Sequence, residues 1–184
     1  MQRKKFKIEK VESAARLFEL TEKFGPDKPL KRIFQTVLAQ GCRTILIEYD
    51  YEDRDYRNEY NAFYAKLFKN YSDKTQRLHF FARDLKQTDL AKVSQFQPEY
   101  LGFCVLRPFQ SQKVVNAIIK PIEDRNRPKR WFILCQKDFA VQIKVSTKNT
   151  QKLRIRGFPF IQQDGQLGCC AHASLATIDH FLAS

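Results

Sequence analysis

The sequence predicts an α+β fold, with helices first, a strand–helix–strand unit in the middle and an antiparallel β region after it. Three patterns indicate this class: helical spacing of apolar residues near the N-terminus, a β-branched run before an aromatic helical stripe, and period-2 alternation later on. With 184 residues, 43% of them hydrophobic, the chain can bury one main core plus a fragment of another. We therefore expect N-terminal helices over 1–40, an α+β domain over 41–156, and the start of a further domain over 157–184.

Two amphipathic helices are predicted in the N-terminal region. The first is marked by apolar residues at helical spacing and is ended by Gly25-Pro26; these residues are Ile8, Val11, Ala15 and Phe18. The second runs from Leu30 to Leu38 and is closed by Gly41 at a C-terminal capping position.

The middle of the chain predicts a strand, a helix and a second strand. Thr44–Tyr51 is rich in β-branched and aromatic residues, as buried strands are. An aromatic stripe at helical spacing follows and predicts a helix whose rings pack in the core; it comprises Tyr56, Tyr60, Phe63, Leu67 and Tyr71. Arg77–Ala82 predicts the next strand, in which His79 is interpreted as a core histidine, and Leu85–Val93 predicts a shorter helix.

Strand patterns dominate after residue 100. Leu101–Pro108 and Val114–Lys120 predict a hairpin, and Trp131–Cys135 predicts a further strand. Val141, Ile143 and Val145 alternate with polar residues, which is typical of a half-exposed strand, and Leu153–Arg156 alternates again. These last two strands are expected to present basic side chains on one face.

The formal net charge is +13, which raises the question of an anionic partner. The basic residues are spread over the whole chain, and this favours a solvated face over a nucleic-acid surface. The alternative function is a non-enzymatic module that binds nucleic acid or an acidic protein partner. Its candidate binding residues are Arg125, Arg127, Lys129, Arg130, Lys144, Arg154 and Arg156.

The cysteine and histidine content indicates a reducing compartment and no bound metal. The five cysteines show no framework spacing, and Cys42, Cys104 and Cys135 lie in or beside apolar runs where a thiol acts as a small hydrophobe. With three histidines and no CxxC pair, neither a metal nor another cofactor is expected. Neither a secretory signal nor a run of roughly 18 apolar residues is present, so we expect a cytoplasmic location and no membrane contact.

The segment after Phe158-Pro159-Phe160 carries the strongest chemical signal. A polar loop with glycines at 165 and 168 leads to Cys169-Cys170, where a new amphipathic helix is predicted. Backbone N–H groups at a helix N-terminus stabilise a thiolate and can also bind the oxyanion of a tetrahedral intermediate. Gln163, seven residues before Cys170, is the natural side-chain amide donor, and Gln162 is the substitute.

This segment resembles the nucleophile region of papain-like cysteine peptidases, and more closely the leader-processing peptidases of bacterial peptide exporters. Cys170-Ala-His-Ala-Ser-Leu175 matches their run of cysteine, small residue, any residue, alanine, any residue and leucine. The resemblance implies Cys170 as nucleophile and Gln163 as oxyanion donor, whereas the glutamine spacing favours Cys169 as the alternative nucleophile. The segment is also similar to parts of larger, poorly characterised bacterial proteins that carry such a domain behind an α/β region.

The resemblance covers only about residues 158–184 and lacks the later half of such a site. Those families supply a histidine, then Asp or Asn, well after the cysteine. His172 lies on a different face of the predicted helix from Cys170, and His180 is roughly 15 Å further along its axis. We therefore expect the start of a truncated peptidase domain acting on peptide or isopeptide bonds, inactive unless a downstream polypeptide completes the site.

Overall fold

The computed structural model describes residues 5–25, 27–68, 70–109, 112–122 and 136–162, together with 175, 177–179 and 182. It confirms the α+β class. In chain order the elements are β1 (Phe6–Lys10), α1 (Ala14–Phe24), α2 (Lys28–Ala39), β2 (Thr44–Tyr51), α3 (Arg54–Ala62), a 3₁₀ turn (Tyr64–Lys66), β3 (Thr75–Phe81), a 3₁₀ segment (Gln87–Glu99), β4 (Tyr100–Leu106), β5 (Val114–Ile119), β6 (Lys137–Lys144), β7 (Thr150–Gly157) and β8 (Phe160–Ile161).

Six of the described strands form one antiparallel sheet in the order β1-β2-β3-β4-β5-β8, and β6 and β7 form a separate two-stranded hairpin. Side chains alternate between the two faces of the sheet, so successive residues of β2 pack against different elements on opposite faces. Ile45 and Ile47 pack with α1 and α2, while Leu46 packs with the hairpin and the 3₁₀ segment. The sheet is therefore covered on both faces.

Side-chain caps fix where α1 and α2 begin. The Ser13 hydroxyl accepts a hydrogen bond from the Arg16 backbone N–H at 3.1 Å, and an Asp27 carboxylate oxygen accepts one from the Leu30 N–H at 3.1 Å. Such caps satisfy backbone donors that have no partner within the helix.

Residues Ile8 and Val11 do not belong to the first helix, contrary to the sequence prediction. Phe6–Lys10 is a strand paired with β2, and α1 begins only at Ala14. Phe18, placed on the apolar stripe, is 53% exposed, and the buried face of α1 is instead formed by Leu17, Leu20, Thr21 and Phe24. The four apolar residues fit a helical period by chance, because local spacing does not reveal a pairing partner 38 positions away.

The aromatic stripe is only partly helical. α3 ends at Ala62, so Leu67 and Tyr71 lie beyond it. Of the predicted stripe, Tyr56 and Tyr71 pack against Phe109, with ring centroids 5.9 and 5.0 Å apart, and Tyr64, which was not part of the stripe, joins them at 4.6 Å. Leu67 is 38% exposed, so the expectation of one continuous core stripe was wrong. The spacing predicted one straight helix, but the helix ends early and the rings after it pack against a residue of the β4–β5 connection instead.

Candidate functional site

Most residues of the predicted sites lie outside the described part of the chain. The thiol segment is one such case: Gln163, Cys169 and Cys170 are not described, and neither is the N-terminal part of the helix predicted there. The same holds for four of the basic residues, namely Arg125, Arg127, Lys129 and Arg130. Three predicted basic residues are described, and Lys144, Arg154 and Arg156 are exposed on β6 and β7.

The chain is anchored immediately before the thiol segment. Strand β8 pairs with β5 through Ile161 and Phe160. The next residue, Gln162, donates from its side-chain amide to the Asp27 carboxylate at 3.0 Å and accepts from the Val114 backbone N–H at 2.9 Å. Both ends of this amide are bound within the domain, so Gln162 is a structural residue and not a free oxyanion donor.

Arg107 provides a second anchor at the same place. Its side chain is fully buried and forms a bidentate ion pair with Glu59 of α3, with nitrogen–oxygen distances of 3.0 and 2.7 Å. The guanidinium also donates to the backbone carbonyls of Gln112, at 3.0 Å, and Gln162, at 3.3 Å. A planar guanidinium supports several such bonds at once. Arg107 therefore ties the exit of β8 to α3.

The two described cysteines are structural. Cys42 and Cys104 are buried in the core between the sheet and helices α1 and α2. Burial raises the pKa of Cys42 to about 12 and raises the pKa of Cys104 as well. Because the thiolate is the reactive form, neither residue can act as a nucleophile at neutral pH.

His79 is a core histidine, as the sequence indicated, and it is fully buried. Its Nδ1 lies 3.0 Å from the Tyr100 hydroxyl, while Nε2 has no hydrogen-bond partner among the described residues and lies 3.7 Å from a Glu48 carboxylate oxygen. Burial, helped by the charge of nearby Arg77, lowers the pKa of His79 to about 4. The ring is therefore neutral and shielded from solvent, which removes it as the general base of a surface site.

A depression of about 630 Å³ opens beside this buried cluster, between β2, β3 and β6. Glu48 and Arg77 lie at its base and form an ion pair of 2.7 Å. The remaining charged lining residues are two lysines and two acidic side chains: Lys5, Lys144, Asp50 and Glu52. Charges of both signs are balanced there, so the depression does not select an anionic or a cationic ligand.

The exposed face of the β6–β7 hairpin is basic, as the sequence predicted. Lys144, Lys152, Arg154 and Arg156 are all exposed on it, and none forms an ion pair within the described residues. Lys152 was not among the predicted binding residues. The alternation of exposed and buried positions identifies it, because it occupies the same face as Arg154 and Arg156.

Among the described residues, no group of three or more His, Cys, Asp or Glu side chains could hold a metal ion. In the same part of the chain, no helix combines the length and apolar character needed to cross a bilayer.

Comparisons with known proteins add no relative. No protein-family model, no curated protein and no solved structure matches the chain. What can be inferred about function therefore comes from the residues and their arrangement.

Proposed function

We propose that the chain carries the nucleophile segment of a papain-like thiol hydrolase behind an α+β domain. Cys170 is the nucleophile, with Cys169 as the alternative, and Gln163 supplies the amide of the oxyanion hole. The substrate class is a peptide or isopeptide carbonyl. The histidine and the Asp or Asn that orients it come from a further polypeptide segment, without which the chain hydrolyses little or no peptide.

The anchoring of Gln162 is the observation that carries this proposal. Its amide is bonded to Asp27 and Val114, and its carbonyl accepts from Arg107. The polar loop that begins with Gln163 therefore starts from a fixed point on the sheet. A catalytic loop needs such a support, since small displacements of an oxyanion donor cost a large share of its effect.

The buried thiols support the same assignment by elimination. Cys42 and Cys104 are protonated and enclosed, and the described domain offers His79 only as a neutral core residue. Thiol chemistry in this chain is thus left to Cys135, Cys169 and Cys170. Of these, only the last two follow a glutamine and a glycine-containing loop at the spacing of a nucleophile segment.

Cysteine labelling of the folded chain tests the nucleophile. Iodoacetamide is applied at neutral pH and the labelled cysteines are identified by mass spectrometry. We expect Cys170 to react first, Cys42 and Cys104 to react only after unfolding, and Cys170→Ser to abolish the fast phase. Cys135→Ser is the matched control and leaves that phase unchanged. If Cys170 reacts no faster than Cys135, the nucleophile assignment is wrong.

A peptide aldehyde tests the oxyanion donor, because a thiolate adds to it to form a hemithioacetal with a tetrahedral oxygen. Gln163→Ala is expected to weaken aldehyde binding by about tenfold or more, since one amide donor is lost. Gln166→Ala changes a glutamine of the same loop and serves as the control, with affinity unchanged. Equal affinities for the two variants would contradict the role of Gln163.

A further inference from the structure

A β-bulge shapes one wall of the depression between β2, β3 and β6. The pairing of β2 with β3 loses its regular register between Glu48 and Tyr51. In an unbroken strand these two residues, three positions apart, would face opposite sides of the sheet. The bulge instead brings both into the lining of the depression, where the Arg77 Cζ lies 3.9 Å from the centre of the Tyr51 ring. An aromatic wall thus stands beside a charged base.

The residue inside the bulge is Asp50, which brings a free carboxylate to the same depression. Its φ is 54°, in the left-handed region that a residue with a Cβ adopts only at a cost in free energy. Asp50 is exposed, lines the depression, and forms neither a hydrogen bond nor an ion pair within the described part of the chain. Bulges and left-handed residues of this kind are frequent beside binding sites.

Arg77 offers a fixed donor at the base of the depression. Its side chain is 5% exposed, and Glu48 accepts from its Nε and Nη2 at 3.0 and 2.7 Å. Nη2 also donates to the Gln142 carbonyl on β6. Nη1 has no hydrogen-bond partner among the described residues, yet it is not one of the enclosed unpaired atoms there, which belong to Gln40 and His79. Nη1 is therefore left to face the depression, and its position is set by the bonds of the other two nitrogens.

Lys144 supplies a second unpaired cation from the hairpin side of the depression. It is exposed on β6 and forms no ion pair with any described residue. Of the other charged side chains in the lining, Lys5 and Glu52 already form ion pairs. The groups left without a partner are thus one carboxylate, that of Asp50, and two cationic donors, Lys144 and the Nη1 of Arg77.

We propose that this depression binds a small zwitterion, namely a free amino acid or a short peptide that carries one ammonium and one carboxylate group. Asp50 accepts from the ammonium group, while Arg77 Nη1 and Lys144 donate to the carboxylate. The Tyr51 ring and Ala140 contact the apolar part of the ligand. The volume of about 630 Å³ lies within the range of roughly 300–1,000 Å³ that is usual for small-molecule sites. This binding is independent of the thiol chemistry proposed above.

The mixture of unpaired charges distinguishes a zwitterion from a ligand of one sign. A phosphate or another anion satisfies Lys144 and Arg77 but meets a like charge at Asp50. A metal ion or a polyamine satisfies Asp50 but is repelled by the two cationic donors. A ligand that carries both charges satisfies all three groups, and hydrogen bonds between ionised partners are the stronger kind.

Calorimetric titration of the full chain with L-leucine and with dileucine tests the ligand class. The two arms separate a free amino acid from a short peptide. The N-acetyl derivative of each compound keeps only the carboxylate, and the C-terminal amide keeps only the ammonium group. We expect at least one zwitterion to bind, and both of its single-charge derivatives to bind about tenfold more weakly or worse, because each loses a charge-assisted hydrogen bond.

Asp50→Asn tests the ammonium subsite. Asn tolerates a left-handed φ as Asp does, so the bulge is retained. Binding of the zwitterion is expected to weaken by about tenfold, whereas the N-acetyl derivative, which has no ammonium group, binds no more weakly than before. The matched control is Asp138→Asn, which removes an exposed and unpaired carboxylate of β6 that does not line the depression. The control is expected to keep the wild-type affinity.

Lys144→Gln tests the carboxylate subsite in the same way. It is expected to weaken binding of the zwitterion by about tenfold and to leave the C-terminal amide, which has no carboxylate, binding as before. Lys152→Gln removes an exposed lysine of β7 outside the depression and is the control. Thermal melting of each variant confirms that it is folded.

Three results would overturn the proposal. The first is that neither zwitterion binds the wild-type chain at millimolar concentration. The second is that the single-charge derivatives bind as tightly as their parent compounds, or that the two control variants lose as much affinity as the site variants. The third is that inorganic phosphate binds with the same dependence on Lys144 and none on Asp50, which would identify an anion site instead.

Discussion

At the scale of single residues, a cluster of polar side chains is buried on the side of the sheet that faces the β6–β7 hairpin: Glu48, Arg77, His79 and Tyr100. Arg77 and Glu48 satisfy each other by an ion pair with two hydrogen bonds, at 3.0 and 2.7 Å. Within the described part of the chain, the one hydrogen-bond partner of His79 is the Tyr100 hydroxyl, and the ring is enclosed without a charge. Such a ring resists protonation in the folded state, so the cluster makes stability depend on pH.

We predict that stability falls as the pH is lowered through the range in which His79 protonates in the unfolded chain. The pKa of His79 is about 4 when folded, and about 6.5 when unfolded. Between about pH 6.5 and about pH 4 the unfolded chain therefore binds a proton that the folded chain does not. The folded state is fully stabilised above about pH 6.5 and loses this stabilisation as the pH falls toward about 4. Between about pH 7.5 and pH 5, this loss is about 2 kcal/mol.

Urea unfolding at the two pH values measures that loss, and His79→Asn is the comparison because it has no titrating ring. The pKa of Glu48 does not complicate this window: burial works to raise it, but His79 and Arg77 outweigh burial and lower it. If the wild-type chain and His79→Asn lose the same stability, His79 is not the group responsible.

Sequence reasoning at this scale succeeded where one strand contains the whole pattern. The exposure of Lys144, Arg154 and Arg156 follows from period-2 alternation within their own strands. It could not foresee that Arg107 is buried, since the partner that neutralises it, Glu59, lies 48 positions earlier on α3. Nor could it foresee the role of Gln162, which depends on Asp27, 135 positions away.

At the scale of elements, the pairing of β4 with β5 depends on Gly102. This residue has φ of 128°, in the region that favours glycine, and it lies opposite Ile119. A Cβ at this position would be 2.2 Å from the Ile118 carbonyl oxygen and 2.9 Å from the Ile119 Cα. Both of those atoms are backbone, so the clash cannot be relieved by rotating a side chain.

Gly102→Ala is therefore predicted to destabilise the domain by about 3 kcal/mol or more. Gly41→Ala is the control, because its φ is also positive, at 78°, but nothing lies within 4 Å of the added Cβ. That control loses about 1–2 kcal/mol through backbone strain alone. Urea unfolding midpoints measure the loss of stability in each variant. Equal losses would show that β4 and β5 move apart to make room for the Cβ at no cost.

The sequence predicted elements best where packing agrees with local pattern. Thr44–Tyr51, the hairpin of β4 and β5, and the alternation of β6 and β7 all appear as expected. The sequence did not predict the N-terminal strand because β1 lacks a clear apolar alternation. Phe6 and Ile8 lie on one side of it. On the other side Glu9 is buried and forms ion pairs with Arg16 and Lys23 of α1. A charged residue buried by ion pairs obscures the apolar alternation of a short strand.

At the scale of the whole molecule, Arg107 connects parts that are distant in sequence. It joins α3 through Glu59, the β4–β5 connection through the Gln112 carbonyl, and the end of β8 through Gln162. Its charge is enclosed, so removing the guanidinium leaves a carboxylate and several carbonyls without their donor.

Arg107→Leu is predicted to destabilise the domain by about 3–5 kcal/mol. The control is Arg57→Leu, whose side chain is 65% exposed and lies 3.7 Å from an exposed Glu52. Such a surface pair contributes at most about 1 kcal/mol. Thermal or urea unfolding compares them, and a loss for Arg107→Leu as small as for Arg57→Leu would show that the three parts are held by other contacts.

The contact between Asp27 and Gln162 also determines when the domain can finish folding during its synthesis on the ribosome. Asp27 leaves the ribosome 135 residues before the glutamine that completes its bonding, an interval of about 7–27 s at ordinary elongation rates. Strand β5 is complete only at Ile119, and its outer edge then stays unpaired until Ile161 of β8 follows 42 residues later, so the nascent chain carries an unfinished sheet over the last part of that interval. Chaperones that recognise emerging polypeptides would meet this protein during that interval, and arrested chains of increasing length would show protection from protease only once Gln162 has emerged.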